Sequence, residues 1–146
     1  MYLDSAVLVK LVVREPDSLF YARQVDGEKA VWSSELTLTE CCSALFRKLR
    51  EGAIDAKIRQ IAWRKLQRYF SEGAVEFVPV DRLILQRANQ IIERCHPQVP
   101  VRSLDAIHLA SCESVAAFPL LTNDQRMRAA SLHLRFPLGA LPESVP

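Results

Sequence analysis

The sequence lacks several features that would assign it to a well-marked class of protein. No apolar stretch approaches the roughly 20 residues that span a bilayer, and the first residues, M-Y-L-D-S, lack the basic region and apolar core of a signal peptide. No Gly-rich phosphate-binding loop occurs. Cys41, Cys42, Cys95 and Cys112 show no C-x-x-C spacing, which argues against a zinc site and a thioredoxin-like centre. We therefore expect a cytosolic protein, not attached to a membrane, with reduced and mostly buried thiols.

Length and composition predict one soluble globular domain over residues 1–146. Charged residues make up 25% of the chain and hydrophobic residues 49%, which argues against disorder outside the last few residues. The net charge of +2 permits a polyanionic partner without requiring one. The basic side chains crowd the middle third, where they form either a solvated helical face or a surface for such a partner: Arg47, Lys48, Arg50, Lys57, Arg59, Arg64, Lys65 and Arg68.

Short apolar segments alternate with amphipathic ones along the chain. The apolar segments predict strands at residues 1–3, 30–33, 75–80 and 118–122. Helical periodicity predicts helices at 6–13, 18–25, 34–49, 55–70, 81–95, 103–112 and 124–132, with a last extended piece at 134–136 and a peripheral Pro-rich end. Ser33 or Ser34 is expected to start the third of these helices. This alternation predicts an α/β fold with a parallel sheet and helices on both faces.

The segment V-R-S-L-D-A-I-H-L places a carboxylate in the first turn of an almost wholly apolar helix. Ser103 is the expected N-cap, and Asp105 then faces the positive end of the helix dipole. Capping alone could explain this acid. A buried ionised carboxylate is nevertheless costly without a cation, and Asp4, Glu40 and Asp124 occupy similarly apolar settings without an obvious basic partner.

These four acids are candidates for one site. Asp4 and Asp124 follow predicted strands, whose carboxyl ends meet at one edge of a parallel sheet, while Glu40 and Asp105 lie on helices. Four carboxylates repel one another unless a hard cation neutralises them, and oxygen ligands favour Mg²⁺ or Mn²⁺. Such a site supports phosphodiester hydrolysis. The alternatives are that Asp4 caps a helix and that Glu40 faces solvent.

Four segments together resemble PIN domains, and most closely the VapC toxins of toxin–antitoxin pairs. The segments are Y-L-D-S-A-V-L-V-K-L, T-L-T-E-C-C-S-A-L, S-L-D-A-I-H-L-A and L-L-T-N-D, and they occur in the family's order and spacing. The resemblance implies a three-layer α/β/α sandwich with a mainly parallel central sheet, Mg²⁺- or Mn²⁺-dependent endoribonuclease activity, a homodimer and neutralisation by a VapB-like antitoxin. It assigns the acidic positions to Asp4, Glu40, Asp105 and Asp124, and the site-lining hydroxyls to Ser5 and Thr122.

Several other residues have simpler interpretations. Asp81 opens a long helix and is expected to cap it. His108 is expected to be a core residue or a support for the acids rather than a ligand. Arg102 could pair with Asp105 or meet a phosphate. His133 stands where the family commonly has a glycine, which leaves the chain path after Leu132 open.

The sequence therefore supports one leading hypothesis and two alternatives. The leading hypothesis is a metal-dependent endoribonuclease toxin that acts on RNA. The first alternative is a catalytically silent PIN-type scaffold that binds RNA or protein, which the presence of all four acids disfavours. The second is a DNA-directed nuclease of the same superfamily, whose members are usually larger.

Overall fold

The computed structural model describes residues 1–142. Its strands are β1 (Tyr2–Leu3), β2 (Trp32–Ser34), β3 (Glu76–Val78) and β4 (Leu120–Leu121). Its helices are α1 (Ser5–Val12), α2 (Ser18–Val25), α3 (Leu36–Arg50), α4 (Ala56–Ser71), α5 (Arg82–Cys95), α6 (Ser103–Ser114) and α7 (Gln125–Leu134). Within the described residues, none of these helices is both long and apolar enough to cross a membrane.

The four strands form one parallel sheet in the order β3-β2-β1-β4. Successive side chains of a strand point to opposite faces, so Tyr2 and Leu120 pack with α5, α6 and α7, while Leu3 and Leu121 pack with the first four helices. Each face has its own apolar core. The predicted α/β/α sandwich with a parallel central sheet is confirmed.

Aspartates begin four of the helices. The carboxylates of Asp4, Asp55, Asp81 and Asp124 each accept a hydrogen bond from the backbone N–H three residues later, at 2.7–2.9 Å. This contact satisfies an N–H that has no partner inside the helix. The predicted capping role of Asp81 is confirmed, and Asp4 combines capping with its position at a strand end.

Three local predictions were wrong. Ser103 is the first residue of α6 and Arg102 occupies the N-cap position, without a side-chain cap. Ser33 and Ser34 belong to β2 rather than to the start of α3, since they pair with Phe77 and Val78 of β3.

The third correction concerns the end of the chain. Helix α7 continues to Leu134 and ends where Arg135 adopts a left-handed conformation with φ 62°, so residues 134–136 form no strand. Extended pairing comes later, where Leu138 bridges Leu120 in parallel. The Pro-rich end is therefore not wholly peripheral, and residues 143–146 lie outside the described part of the chain.

An ion-pair network connects α1 and α3 with the turn that precedes α2. The buried ammonium of Lys10 lies 2.8 Å from Glu15 and 2.7 Å from Asp17, and Lys48 contacts the other oxygen of Glu15 at 2.7 Å. Burial by itself raises the pKa of Glu15, but its hydrogen bonds to Lys10 and Lys48 outweigh burial and lower the pKa. Burial acts to lower the pKa of Lys10, and the two carboxylates reverse that effect and raise it. The network therefore stabilises the charged forms of Lys10 and Glu15.

Replacing Lys10 by methionine is expected to lower the free energy of unfolding at neutral pH by about 2 kcal/mol, because Asp17 loses its cation and Glu15 keeps only Lys48. A carboxylate with a lowered pKa contributes stability above its unfolded pKa and loses that contribution as the pH falls through its folded pKa. The deficit of the variant should accordingly shrink below about pH 4. Urea unfolding of both proteins at several pH values measures it.

Arg68→Met is the matched control, since the Arg68–Glu72 pair is exposed, at 72% and 57% of the two side chains. An exposed pair of this kind contributes about 0–1 kcal/mol. Equal losses in the two variants would show that the Lys10 network is not a significant source of stability.

Candidate active site

The site lies where the direction of chain progression across the sheet reverses. From β1 the chain adds β2 and β3 on one side, and it returns to place β4 on the other side of β1. Ligands of open parallel sheets bind beyond the carboxyl ends of the strands at such a point. Asp4 follows β1 directly, and Thr122, Asn123 and Asp124 follow β4.

Asp4 is the most buried of the four acids, with 3% of its surface exposed. One carboxylate oxygen accepts a hydrogen bond from the backbone N–H of Val7 at 2.8 Å, and the other accepts one from the hydroxyl of Thr122. Burial nevertheless raises the pKa of Asp4 above its usual value, against the lowering effect of these two donors. The nearby carboxylate of Glu40 adds to the rise. The ionised form of Asp4 is therefore under-compensated by the residues around it.

Thr122 connects Asp4 to Asp124. Its buried hydroxyl donates to Asp4 and accepts a hydrogen bond from the backbone N–H of Asp124 at 3.0 Å. The Asp124 carboxylate caps α7 by accepting from Met127 at 2.8 Å, and the residue is exposed. The predicted hydroxyl thus contacts an acid of the site, and Asp124 lies at its rim.

Glu40 comes from α3 and meets α6 through His108. The two atoms in contact are a carboxylate oxygen of Glu40 and Nε2 of His108, at 2.7 Å, and Nδ1 of His108 lies 2.9 Å from the hydroxyl of Tyr2. Of the three side chains, only that of Glu40 is partly accessible, at 21%, against 2% for His108. His108 therefore supports an acid, which agrees with the interpretation of it as a supporting group.

Asp105 lies one helical turn before His108 and is half-buried. Burial raises its pKa first, and the charge of Asp124 raises it further, while the backbone of Arg102 and the charge of Arg126 lower it. Asp124 is therefore close enough for its charge to disfavour the ionised form of Asp105. No ion pair joins the side chain of Arg102 to Asp105 within residues 1–142.

The chemistry of these donors fits a hard divalent cation. All four are carboxylates, and the pKa values of Asp4 and Asp105 are raised first by burial and then by the charge of a neighbouring carboxylate. In this conformation, however, no group of three or more His, Cys, Asp or Glu side chains within residues 1–142 is arranged to hold one metal ion. The four acids are linked through charge, that of Glu40 raising the pKa of Asp4 and that of Asp124 raising the pKa of Asp105.

A groove of about 680 Å³ runs along α1 and α3, and Glu40 is the one of the four acids that lines it. Ser5, Glu40, Leu104 and Asn123 line it, and so do three cations two turns further along: Lys10, Arg47 and Lys48. Lys10 and Lys48 are neutralised by their ion pairs, whereas Arg47 is exposed and makes no ion pair in the described part of the chain. The groove therefore runs from the carboxylate of Glu40 to the guanidinium of Arg47.

Sequence reasoning singled out six of the residues described above, Asp4, Ser5, Glu40, Asp105, Thr122 and Asp124, and it missed two others. Tyr2 was treated only as an apolar strand residue, although a tyrosine whose ring is buried must find a partner for its hydroxyl. Arg126 follows Asp124 by two residues and acts on Asp105 through its charge. Among the four cysteines, burial raises the pKa of Cys41 and of Cys112 to about 12, so neither is a reactive nucleophile at neutral pH.

Two comparisons with known proteins agree with this geometry. Residues 1–131 match the PIN domain family. The chain is 35% identical over 133 residues to Ribonuclease VapC46 of Mycobacterium tuberculosis (strain ATCC 25618 / H37Rv), which covers 90% of this chain and 89% of that protein. The resemblance to VapC toxins drawn from the four segments is thereby confirmed, and the chain belongs to the PIN-domain family.

Proposed function

We propose that this protein is a Mg²⁺- or Mn²⁺-dependent endoribonuclease, the toxin of a VapBC-type pair, built as one PIN-like domain over residues 1–146 and acting in the cytosol. The observation that carries the proposal is the set of four carboxylates beside the switch point of the sheet, where the charge of Glu40 raises the pKa of Asp4 and that of Asp124 raises the pKa of Asp105. Supporting it is the similarity of nearly the whole chain to a protein named a ribonuclease.

Asp4, Glu40, Asp105 and Asp124 would hold the cation. When bound, it would neutralise their charge, activate the attacking water and stabilise the negative charge that develops at phosphorus. The protein's own contribution is orientation. Val7 and Thr122 fix both oxygens of Asp4, and Thr122 also fixes the backbone of Asp124, so the carboxylates at the two strand ends keep a constant relative position.

RNA would enter along the groove between α1 and α3. Phosphates that flank the cleaved bond are repelled by the acidic end unless the cation is present, and the exposed guanidinium of Arg47 offers them a counter-charge. Ser5 and Asn123 line the groove beside Glu40 and can donate hydrogen bonds to the substrate. The groove is therefore suited to a phosphate backbone rather than to a small apolar ligand.

We also propose a homodimer and a small VapB-like antitoxin that covers the site. Leu11 and Phe20, considered as antitoxin contacts from the sequence, are partly buried and pack against the core on the α1–α4 side of the sheet. Leu19 is the more accessible residue of this region, with 69% of its surface exposed, and it borders a groove shared with Leu11. Leu19 is thus a better candidate than Phe20 for contact with a partner.

Asp4→Asn, Glu40→Gln and Asp105→Asn should each abolish RNA cleavage while the fold is kept. The physical reason is that each change removes a charge from the metal site and nearly preserves the shape of the side chain. Because even the loss of an outer supporting group costs about 10–100-fold, the loss of a ligand should exceed about 100-fold. Asp124→Asn should be milder, since the residue is exposed at the rim. Single-turnover cleavage of a labelled RNA measures these rates.

Asp81→Asn is the control for the helix-capping role that Asp4 shares. Asparagine caps a helix about as well as aspartate, and Asp81 is remote from the four acids in the sheet order. Full cleavage by Asp105→Asn, or a dead Asp81→Asn, would contradict the assignment of the site.

Divalent cations should stabilise the folded protein. A hundredfold excess of Mn²⁺ over its dissociation constant adds about 2.7 kcal/mol to the free energy of unfolding. Asp105→Asn should equal or exceed wild type in stability without metal, because a carboxylate whose folded pKa is raised destabilises the protein at neutral pH. The variant should show a smaller shift with Mn²⁺. Thermal melts in EDTA and in excess Mn²⁺, at matched ionic strength, give both quantities. If Mn²⁺ raised the melting temperature of the two proteins equally, Asp105 would not belong to the metal site.

Light scattering coupled to size exclusion checks the dimer. The expected mass is twice the chain's 16.5 kDa. A mass of one chain at every concentration tested would contradict the dimer and leave the proposed chemistry unaffected.

A further inference from the structure

A buried chain of hydrogen bonds ends on Glu40. It begins at the hydroxyl of Tyr2 on β1, passes through both ring nitrogens of His108 on α6 and reaches a carboxylate oxygen of Glu40 on α3, with donor–acceptor distances of 2.9 and 2.7 Å. The three residues are far apart in sequence. Tyr2 and His108 are buried, and their rings meet edge to face with centroids 5.9 Å apart. Packing therefore fixes the ring of His108 as well as its hydrogen bonds.

The chemistry of the partners sets the direction of the chain. An ionised carboxylate can only accept, so Nε2 of His108 carries the hydrogen on the side of Glu40. In the neutral ring Nδ1 is then an acceptor, and the hydroxyl of Tyr2 donates to it. A charged ring would also donate from Nε2 to Glu40. The contact to Glu40 is thus kept in either state of the histidine.

Glu40 is the acid that most needs such support. Its backbone lies in the second turn of α3, away from the strand ends that place Asp4 and Asp124. Asp4 has two donors of its own and Asp124 caps a helix, whereas His108 supplies the hydrogen bond recorded for the Glu40 side chain in residues 1–142. A flexible glutamate held by one contact depends on that contact for its orientation.

We propose that His108 and Tyr2 are positioning residues for Glu40: Tyr2 fixes the imidazole, and the imidazole aims the carboxylate into the site. The inference rests on the proposed function, because it is the metal site that Glu40 serves. It makes α6 supply both an acid, Asp105, and the group that orients a second acid from another helix. It also gives β1 a role beyond Asp4, since Tyr2 precedes that residue by two positions.

A double-mutant cycle on Tyr2 and Glu40 tests the proposal. Tyr2→Phe removes only the hydroxyl at the start of the chain, and its effect is measured in wild type and in Glu40→Gln. The readouts are the dissociation constant for Mn²⁺ from thermal melts over a metal titration, and single-turnover RNA cleavage. We expect Tyr2→Phe to weaken Mn²⁺ binding or cleavage by about 10-fold or more, and to change Mn²⁺ binding by less than about two-fold once Glu40 is glutamine.

Tyr21→Phe is the matched control. Tyr21 is as fully buried as Tyr2, and its hydroxyl has no hydrogen-bond partner within residues 1–142. Its loss should leave both readouts unchanged. His108→Gln, which keeps an N–H donor, should retain more Mn²⁺ affinity than His108→Leu, which keeps none.

The possible outcomes separate this proposal from the proposed function. If wild type neither binds Mn²⁺ nor cleaves RNA, or if Glu40→Gln changes neither, the metal-dependent function fails and the positioning role falls with it. If Glu40→Gln is defective but Tyr2→Phe matches Tyr21→Phe, the function stands and the positioning role is wrong. An equal loss on adding Tyr2→Phe to wild type and to Glu40→Gln would likewise overturn it, since that pattern indicates general damage to the fold.

Discussion

The parallel pairing of β1 with β4 is the constraint on which the site depends. Two two-residue strands in register, Tyr2 with Leu120 and Leu3 with Leu121, place Asp4 beside Thr122. These residues are 118 positions apart in sequence, so the carboxylate and the hydroxyl meet only when the whole sandwich has formed. Because both apolar faces must pack to hold so short a sheet, the cores around α1–α4 and α5–α7 determine the position of the acids.

Charge in this site works against the fold that holds it. Burial raises the pKa values of Asp4 and Asp105, and each of these acids lies near another carboxylate that raises its pKa further. At neutral pH the ionisation of these two acids therefore favours the unfolded state. The Lys10 network has the opposite sign, since its carboxylates face cations. Carboxylates thus stabilise the fold in the Lys10 network and destabilise it in the candidate site.

Local patterns in the sequence predicted most of the architecture. Strand positions were visible as apolar segments, and Asp4, Asp81 and Asp124 were recognisable as residues that follow strands and begin helices. The exact first residue of a helix was harder to predict. The start of α6 was misplaced by one residue, since Ser103 is the first helical residue and Arg102 is the N-cap. The end of α7 was misplaced because the residues around Arg135 give no sequence signal for its left-handed conformation.

The contacts that organise the site were the hardest to anticipate. Glu40 and His108 lie 68 residues apart, and no periodicity joins them. Tyr2 sits in a strand of apolar character, so its hydroxyl carried no signal until the histidine stood opposite to it. Pairings between distant elements depend on the order of strands in the sheet, which the alternation of strands and helices leaves undetermined.

The segment after α7 covers one edge of the sheet, the edge formed by β4. Residues 137–139 run beside β4, with backbone hydrogen bonds from Leu120 to Pro137 and from Gly139 to Leu120, and Arg128 ties the carbonyls of Thr122 and Gly139 together. Gly139 fits there because a Cβ would lie 2.3 Å from a methyl group of Leu121. An unpaired strand edge is a template for aggregation, and covering it with a short irregular segment is one way to block foreign strands. The strand that precedes Thr122 is therefore shielded from edge-to-edge association by residues 137–139.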